Sequence, residues 1–374
     1  MVYLDYAANT PVLEEVLTRY ANTERDYFAN PNASHPLGAA ARQRLDECTK
    51  AIASLLRVEQ NALILTSGAS EANNLALKGI AHTYRHFGRH IITSCLEHPS
   101  VSGCLTYLQE QGYEVELVDI GADGRVRLDH LRQLLRKDTI LVSICTVDSE
   151  LGSIQPVDEI ARLVGEYPNC RFHTDATQAA GKIPVDFYAA DCTVFAPHKF
   201  YGLTGSGGLV KKPTTVLTPL IHGGAGSQQV RAGTPSVAHA VAMEAALRNA
   251  LAFMEERYET VQMLRSSLLN HLTAYPAVRI NSQREGSPYI LNLSVNGVKA
   301  ALFKQALERY GVCVSVKSAC STENTPSRAV YAVTGDKKNA LSSFRISLSH
   351  LTTAEEIDGF FTAFGACYYE LTKG

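Results

Sequence analysis

No apolar run in these 374 residues approaches the roughly 20 residues needed to span a bilayer, so no membrane-embedded segment is expected. Charge of one sign is also lacking: 35 Lys and Arg stand against 37 Asp and Glu, a net −2. So even a balance gives no electrostatic footprint for nucleic acid or an anionic membrane surface. The nine cysteines are odd in number and contain no C-x-x-C pair. That argues against a disulfide framework and a zinc site, and no metal is expected. The first residues, Met1-Val2-Tyr3-Leu4-Asp5-Tyr6, lack a basic region followed by an apolar stretch. The expectation is therefore a cytoplasmic protein without a secretory signal. Internal repeats and low-complexity tracts are missing too.

What is present reads as an ordinary globular composition, 45% hydrophobic and 19% charged, on a chain long enough for two domains. Short apolar runs alternate with amphipathic stretches from about residue 38 onward. Ala62 to Thr66, His90 to Ser94, Glu114 to Val118, Thr139 to Ile144, Cys170 to Thr174 and Cys192 to Ala196 read as strands. Such alternation predicts an α/β layer with a largely parallel sheet. Residues 13–255 are expected to form a large domain. Residues 1–12 and 256–374 are expected to form a smaller αβ domain, with one or two long helices from Met243 to about Tyr275 as the bridge.

Two residues carry the strongest chemical signal. Lys199 follows an apolar, strand-like run in Phe195-Ala196-Pro197-His198-Lys199, and Asp175 ends an earlier strand in His173-Thr174-Asp175. A lysine so placed can form a Schiff base with an aldehyde cofactor, and a carboxylate can hold a pyridinium nitrogen. Together they describe the binding of pyridoxal 5′-phosphate. Thr66-Ser67-Gly68-Ala69-Ser70 lies at a strand-to-helix turn, where the backbone amides of Ala69 and Ser70 and the Ser70 hydroxyl could hold an anion. An ordinary turn with Ser70 as N-cap is the plainer alternative. His98 could stack on a flat ring or cap a turn. Arg345, inside the apolar strand Phe344 to Leu348, needs an anion. A substrate carboxylate or an internal Asp or Glu would serve. Cys320, in the small polar stretch Lys317 to Pro326, is a candidate nucleophile on an exposed loop. Tyr201 to Gly208 is glycine-rich but lacks the Gly-Lys-Ser/Thr ending of a nucleotide-binding loop, and reads as a turn and hairpin.

In this order the motifs resemble the cysteine desulfurases of the class V aminotransferase group. The likeness runs from Tyr3-Leu4-Asp5-Tyr6-Ala7-Ala8, through Asn30-Pro31, Glu97-His98, Glu150-Leu151-Gly152, His173 to Gln178 and His198-Lys199. It continues to Arg231-Ala232-Gly233-Thr234, Ser318-Ala319-Cys320 and Arg345 to Leu348. The resemblance implies fold type I, with a mostly parallel seven-stranded sheet in the large domain and a smaller C-terminal αβ domain. It implies Lys199 as the cofactor's lysine, Asp175 as partner of the ring nitrogen, and His98 stacked on the ring. Gln178 would bond the phenolic oxygen, and Ala69, Ser70 and His198 the phosphate. Thr234 would reach the phosphate of a neighbouring subunit in a homodimer. Arg345 would hold the carboxylate of L-cysteine. Cys320 would take its sulfur as a persulfide, for delivery to an acceptor protein or small molecule as in iron–sulfur cluster assembly.

Three stretches depart from the family pattern. Asp148-Ser149 stands where Asn-Asn is usual, so Ser149 offers one donor fewer to the cofactor and the substrate carboxylate. Ala196-Pro197 replaces Ser-Gly before the lysine and removes a hydroxyl; Ala225 to Gln229 replaces a segment ending Glu-Arg-Gly. One lost hydrogen bond to a charged group is worth roughly 1.5–3 kcal/mol. Two other readings therefore stand beside a desulfurase. One is a lyase of the same group acting on selenocysteine or another amino acid. The other is a pyridoxal phosphate-binding partner protein that has lost turnover.

Overall fold

The structure, a computed structural model, describes residues 1–224, 230–316 and 325–372. At its centre seven strands lie in the order Leu63–Thr66, Gly207–Lys211, Cys192–Phe195, Arg171–Asp175, Thr139–Ser143, His90–Thr93 and Glu114–Leu117. All run the same way except Gly207–Lys211, which pairs antiparallel with both neighbours. The mostly parallel seven-stranded sheet expected from the resemblance is thus present. Strands buried on both faces explain why the sequence shows continuous apolar runs rather than alternation. Thr139–Ser143 and Cys192–Phe195, for example, are buried at every residue.

The stretch expected to be a turn and hairpin after Lys199 does turn back, but its end is a central strand. Glycine is required there by close approach. A Cβ on Gly208 would sit 2.3 Å from the Phe195 ring, and one on Gly207 2.5 Å from the backbone of Gly68. Two glycines in a row hid this strand from a reading based on β-propensity.

Helices cover both faces. Ala69–Tyr84 packs Ala72, Leu75, Ala76, Leu77 and Ile80 onto one side of the sheet. The other side meets Val237–Ala252, whose Ala242, Ala246 and Ala250 permit close packing against Phe195 and Phe200.

A second core gathers around the antiparallel strands Val278–Ile280, Ile290–Val295 and Ser343–Ser347. It is closed by the helices Met254–Leu272, Ala300–Arg309 and Ala354–Thr372, with Phe303, Phe344, Phe360 and Phe364 stacked at its middle. Truncating one such ring to Ala would cost about 3–5 kcal/mol. Leu4 and Ala7 belong to this core, and Val2–Tyr3 pairs with Val312–Cys313. The N-terminal segment then leads from the second core to the carboxyl end of the large sheet's strands: Thr10 N–H donates to His198 O at 3.0 Å.

Candidate functional site

Side chains collect where ligands bind in open α/β sheets, beyond the carboxyl ends of the parallel strands. Asp175 is the last residue of its strand. Its Oδ2 accepts from Asn73 Nδ2 at 2.8 Å and its Oδ1 from the Thr177 N–H at 2.9 Å. Asn73 is fully buried and passes the constraint on, because its Oδ1 lies 3.0 Å from His173 Nε2. Burial pushes the His173 imidazole down to about 4, so it is neutral at ordinary pH. With Nε2 donating to Asn73, Nδ1 accepts from the Ser143 hydroxyl at 2.9 Å. The carboxylate is thereby fixed in one orientation.

Lys199 ends the short 3₁₀ turn Pro197–Lys199 that follows the next strand. Its Nζ donates to Ala7 O at 2.8 Å and Ala8 O at 2.5 Å. Gln178 Nε2 donates to the same Ala7 carbonyl at 2.8 Å, while its Oε1 accepts from Lys182 Nζ at 3.0 Å. Ala7 and Ala8 thus form one wall of the site.

Of the two parts expected of His98, the capping one is seen. It caps the helix Pro99–Glu110, with Nδ1 accepting from the Ser100 N–H at 3.1 Å, and it faces the site. Burial lowers its pKa, Asp175 opposes the shift and Lys199 adds to it. His198 is pushed down to about 4 by burial and by Lys199, Lys182 and His98. Both rings are therefore neutral at ordinary pH. Ser70 is not an N-cap. Gly68 holds that position without a side-chain bond, leaving Ala69 and Ser70 in the first turn of Ala69–Tyr84, where helix amides lack partners within the helix.

Arg345 is almost fully buried, and both kinds of anion considered for it bear on the site. Its Nη2 donates to Asp5 Oδ1 at 2.7 Å, the internal carboxylate, while its side chain still lines the cavity. Nη1 donates to Ser149 O, also at 2.7 Å. The Ser149 backbone thus orients the arginine. Asp148, the other half of the departure, is buried and accepts from the N–H groups of Glu150 and Leu151, shaping the turn that presents Ser149.

A cavity of about 300 Å³ gathers nine of the predicted residues: Ala69, Ser70, His98, Ser149, Asp175, Gln178, His198, Lys199 and Arg345. Thr234 is not among them. It is exposed and lines a separate cavity of about 140 Å³ with Ser67 and Arg231. Cys320 and Ala225 to Gln229 lie outside the described residues. Ala196 is fully buried and does not line the cavity, in contrast to His198 and Lys199.

Sequence reasoning gave no role to Asp5, Asn73, Lys182 and Glu97, which stand behind the cavity lining and bond Arg345, Asp175, Gln178 and the Cys145 N–H. Asn73 had a readable signal, a polar residue on the apolar face of a helix. Lys182, between Gly181 and Ile183-Pro184, had none, because a single lysine reads as solvated surface.

The donor set suits pyridoxal phosphate. A lysine amine, an oriented carboxylate, a neutral imidazole and open helix amides surround one cavity, each matched to a different part of a phosphorylated pyridine aldehyde.

The chain matches the aminotransferase class-V family over residues 2–360. It is 34% identical over 379 residues to a NifS/IcsS protein homolog of Lactobacillus delbrueckii subsp. bulgaricus, covering 100% of this chain and 98% of that one. Against the cysteine desulfurase IscS of Dictyoglomus turgidum it is 36% identical over 362 residues, covering 96% and 92%. Among solved structures, a NifS-like protein superposes with a TM-score of 0.91 at 31% identity, both chains being covered in full. The structure of SspA in complex with cysteine superposes with a TM-score of 0.82 at 29% identity, covering 94% of this chain and 100% of that one.

Proposed function

The chain belongs to the class-V aminotransferase family and, within it, to the cysteine desulfurases, and from that premise we propose how its residues share the work. The reaction converts L-cysteine to L-alanine, with pyridoxal 5′-phosphate held in the cavity of Lys199 and Asp175. The meeting of Lys199, Asp175 and Arg345 in that one cavity carries the reading.

Bound there, pyridoxal phosphate supplies an electron-withdrawing ring that stabilises the carbanion left when a proton leaves the substrate α-carbon. Asp175, fixed by Asn73 and the Thr177 amide, keeps the ring nitrogen protonated. Lys199 Nζ would be the attachment point, and its free amine would serve as the base that moves the substrate α-proton. The neutral His98 would stack on the ring, and Gln178 would donate to the phenolic oxygen. The amides of Ala69 and Ser70, the Ser70 hydroxyl and His198 receive the phosphate. Arg345 and Ser149 orient the substrate carboxylate. The Cys320 thiolate attacks the substrate sulfur: a sulfur–sulfur bond forms, the carbon–sulfur bond breaks with its electron pair going to the β-carbon, which takes up a proton, and return of the α-proton gives alanine, with a persulfide on Cys320.

The persulfide passes to an acceptor protein or small molecule. The assembly is read as a homodimer sharing Thr234 across its sites, and its location as cytoplasmic. No helix among the described residues is long and apolar enough to cross a membrane. A large domain over 13–255 and a small one of 1–12 with 256–374 accord with the separate core that joins Leu4 and Ala7 to residues 261–368.

The test incubates cofactor-loaded protein with L-cysteine and measures alanine and sulfide. Wild type forms alanine, Lys199→Ala forms essentially none, and Cys320→Ala loses cysteine turnover. Wild type that leaves cysteine untouched would overturn the reading.

A further inference from the structure

Lys182 is buried beside the cavity but forms no part of the mechanism above. Its ammonium donates to Gln178 Oε1 at 3.0 Å and lies 5.6 Å from the centre of the Tyr289 ring. A fully buried lysine is expensive, because the charge leaves water for a low-dielectric interior. Methionine would fill a similar volume without that penalty, so packing alone does not account for the amine.

The contact with Gln178 does. A carboxamide offers an acceptor on one side and donors on the other, and rotation by half a turn exchanges them. An ammonium only donates, so Lys182 requires Oε1 to face it and turns Nε2 toward the cavity wall. There one Nε2 hydrogen meets Ala7 O at 2.8 Å, leaving the second for a ligand. Ala7 O is a shared acceptor, since Lys199 Nζ also donates to it. Its two lone pairs serve both donors, so Ala7 O and Lys182 hold the carboxamide from its two ends.

We propose that Lys182 is a positioning residue that locks the Gln178 carboxamide with Nε2 toward the cavity, so that Gln178 can only donate to the cofactor's phenolic oxygen. This rests on the pyridoxal phosphate reading of the cavity. The groups electrostatically linked to Lys182 are Lys199, Arg345 and His198, with the Tyr289 ring packed against it. Burial, then Lys199 and Arg345, lower the Lys182 ammonium to about 7. The donor-only ammonium that fixes Gln178 therefore predominates below about pH 7, whereas the neutral amine above it can also accept.

A donor on the phenolic oxygen stabilises the negative charge there and makes the lysine-bound cofactor a weaker base. Losing that donor raises the pH at which its absorbance titrates. Loss of a nearby positive charge acts in the same direction.

The experiment titrates the visible absorbance of protein saturated with pyridoxal 5′-phosphate from acid to alkaline pH. Wild type is compared with Lys182→Met, Lys182→Arg, Gln178→Leu and the Lys182→Met/Gln178→Leu pair. Lys182→Met and Gln178→Leu should each raise the midpoint by about one pH unit, and the pair by no more than the larger single shift. Lys182→Arg, which keeps a donor, should return the midpoint toward wild type. With L-cysteine, Lys182→Met should lower kcat about tenfold while KM stays within about twofold.

An unchanged midpoint, fully additive shifts, or a rise in KM alone would overturn the proposal; the last would tie Lys182 to Arg345 instead. A wild type with no lysine-dependent absorbance band refutes the cofactor reading itself, which is a separate outcome. If Lys182→Met melts well below wild type, Lys182→Arg carries the comparison with Gln178→Leu, since a guanidinium, like an ammonium, only donates. A midpoint near wild type then supports the hydrogen bond, and one raised as far as in Gln178→Leu overturns it.

Discussion

Arg345 Nη2 donates to Asp5 Oδ1 at 2.7 Å, so the cation assigned to the substrate carboxylate already holds a carboxylate of its own chain. Asp5 is the more exposed of the two and sits on the N-terminal segment that leads to Ala7 and Ala8. A substrate carboxylate must share Arg345 with Asp5 or displace it. Asp5→Asn keeps an oxygen acceptor in the same place but removes the competing charge. The expected outcome is a several-fold lower KM for L-cysteine, together with a loss of about 1–3 kcal/mol in substrate-free stability, because the buried guanidinium is less compensated. Steady-state kinetics and thermal melts check both. A higher KM would mean that Asp5 mainly orients Arg345.

Behind Asp175, Asn73 and His173 form a buried relay to Ser143. Asn73→Ala removes the amide that donates to Asp175 and accepts from His173, leaving two buried groups without that partner. Stability without cofactor should fall by about 1–3 kcal/mol, measured by denaturant unfolding, and the cofactor should dissociate faster. Retention at the wild-type rate would show that the Thr177 amide alone suffices to hold the carboxylate.

Glu97 gives the protein a pH dependence opposite to the usual carboxylate pattern. Its Oε1 accepts from Ser94 Oγ at 2.7 Å and the Cys145 N–H at 3.0 Å, while Oε2 is buried with no hydrogen-bond partner among the described residues. Burial, with Asp175 and Asp148 nearby, raises it from 4.5 to about 8. Burial and Glu150 raise Asp148 from 3.8 to about 7. Between the ordinary and raised values the folded state binds protons that the unfolded state has released. The stabilisation is complete below the lower value and is lost as pH rises through the upper one. Melting temperature without cofactor should therefore fall from pH 5 to pH 8. Glu97→Gln mimics the protonated acid and should flatten that fall while leaving the Asp148 part below about pH 7. Above pH 8 the variant should be more stable than wild type; parallel curves would show that Glu97 does not titrate in this range.

The strands were legible because burial on both faces leaves an unbroken apolar run. Arg171–Asp175 and Cys192–Phe195 lie within one residue of where the sequence places them. Gly207–Lys211 was not legible, since its glycines are dictated by the Phe195 ring and the Gly68 backbone, neither of which is a local property. The same distinction divides the site. Lys199, Asp175 and His98 announce themselves by following strand-like runs. Lys182 and Asp5 gain meaning only from Gln178 and Arg345, one a turn away in space and the other 340 residues away in sequence.

Thr234 tests whether neighbouring subunits share their sites. It is exposed and stands apart from the cavity of Lys199. Thr234→Val should leave each subunit folded, since no buried contact is lost. If the hydroxyl serves a partner's phosphate, losing a charge-assisted hydrogen bond of about 1.5–3 kcal/mol should weaken cofactor retention at least tenfold. Hybrids decide whose phosphate it serves. In a dimer of one Thr234→Val subunit and one Lys199→Ala subunit, the former keeps its own Lys199 and receives an intact Thr234 from the latter. One of the two sites is then complete, and desulfurase activity per hybrid should recover to about half that of the wild-type dimer. A threonine acting within its own subunit would give no such recovery, because neither half of the hybrid would then carry both groups.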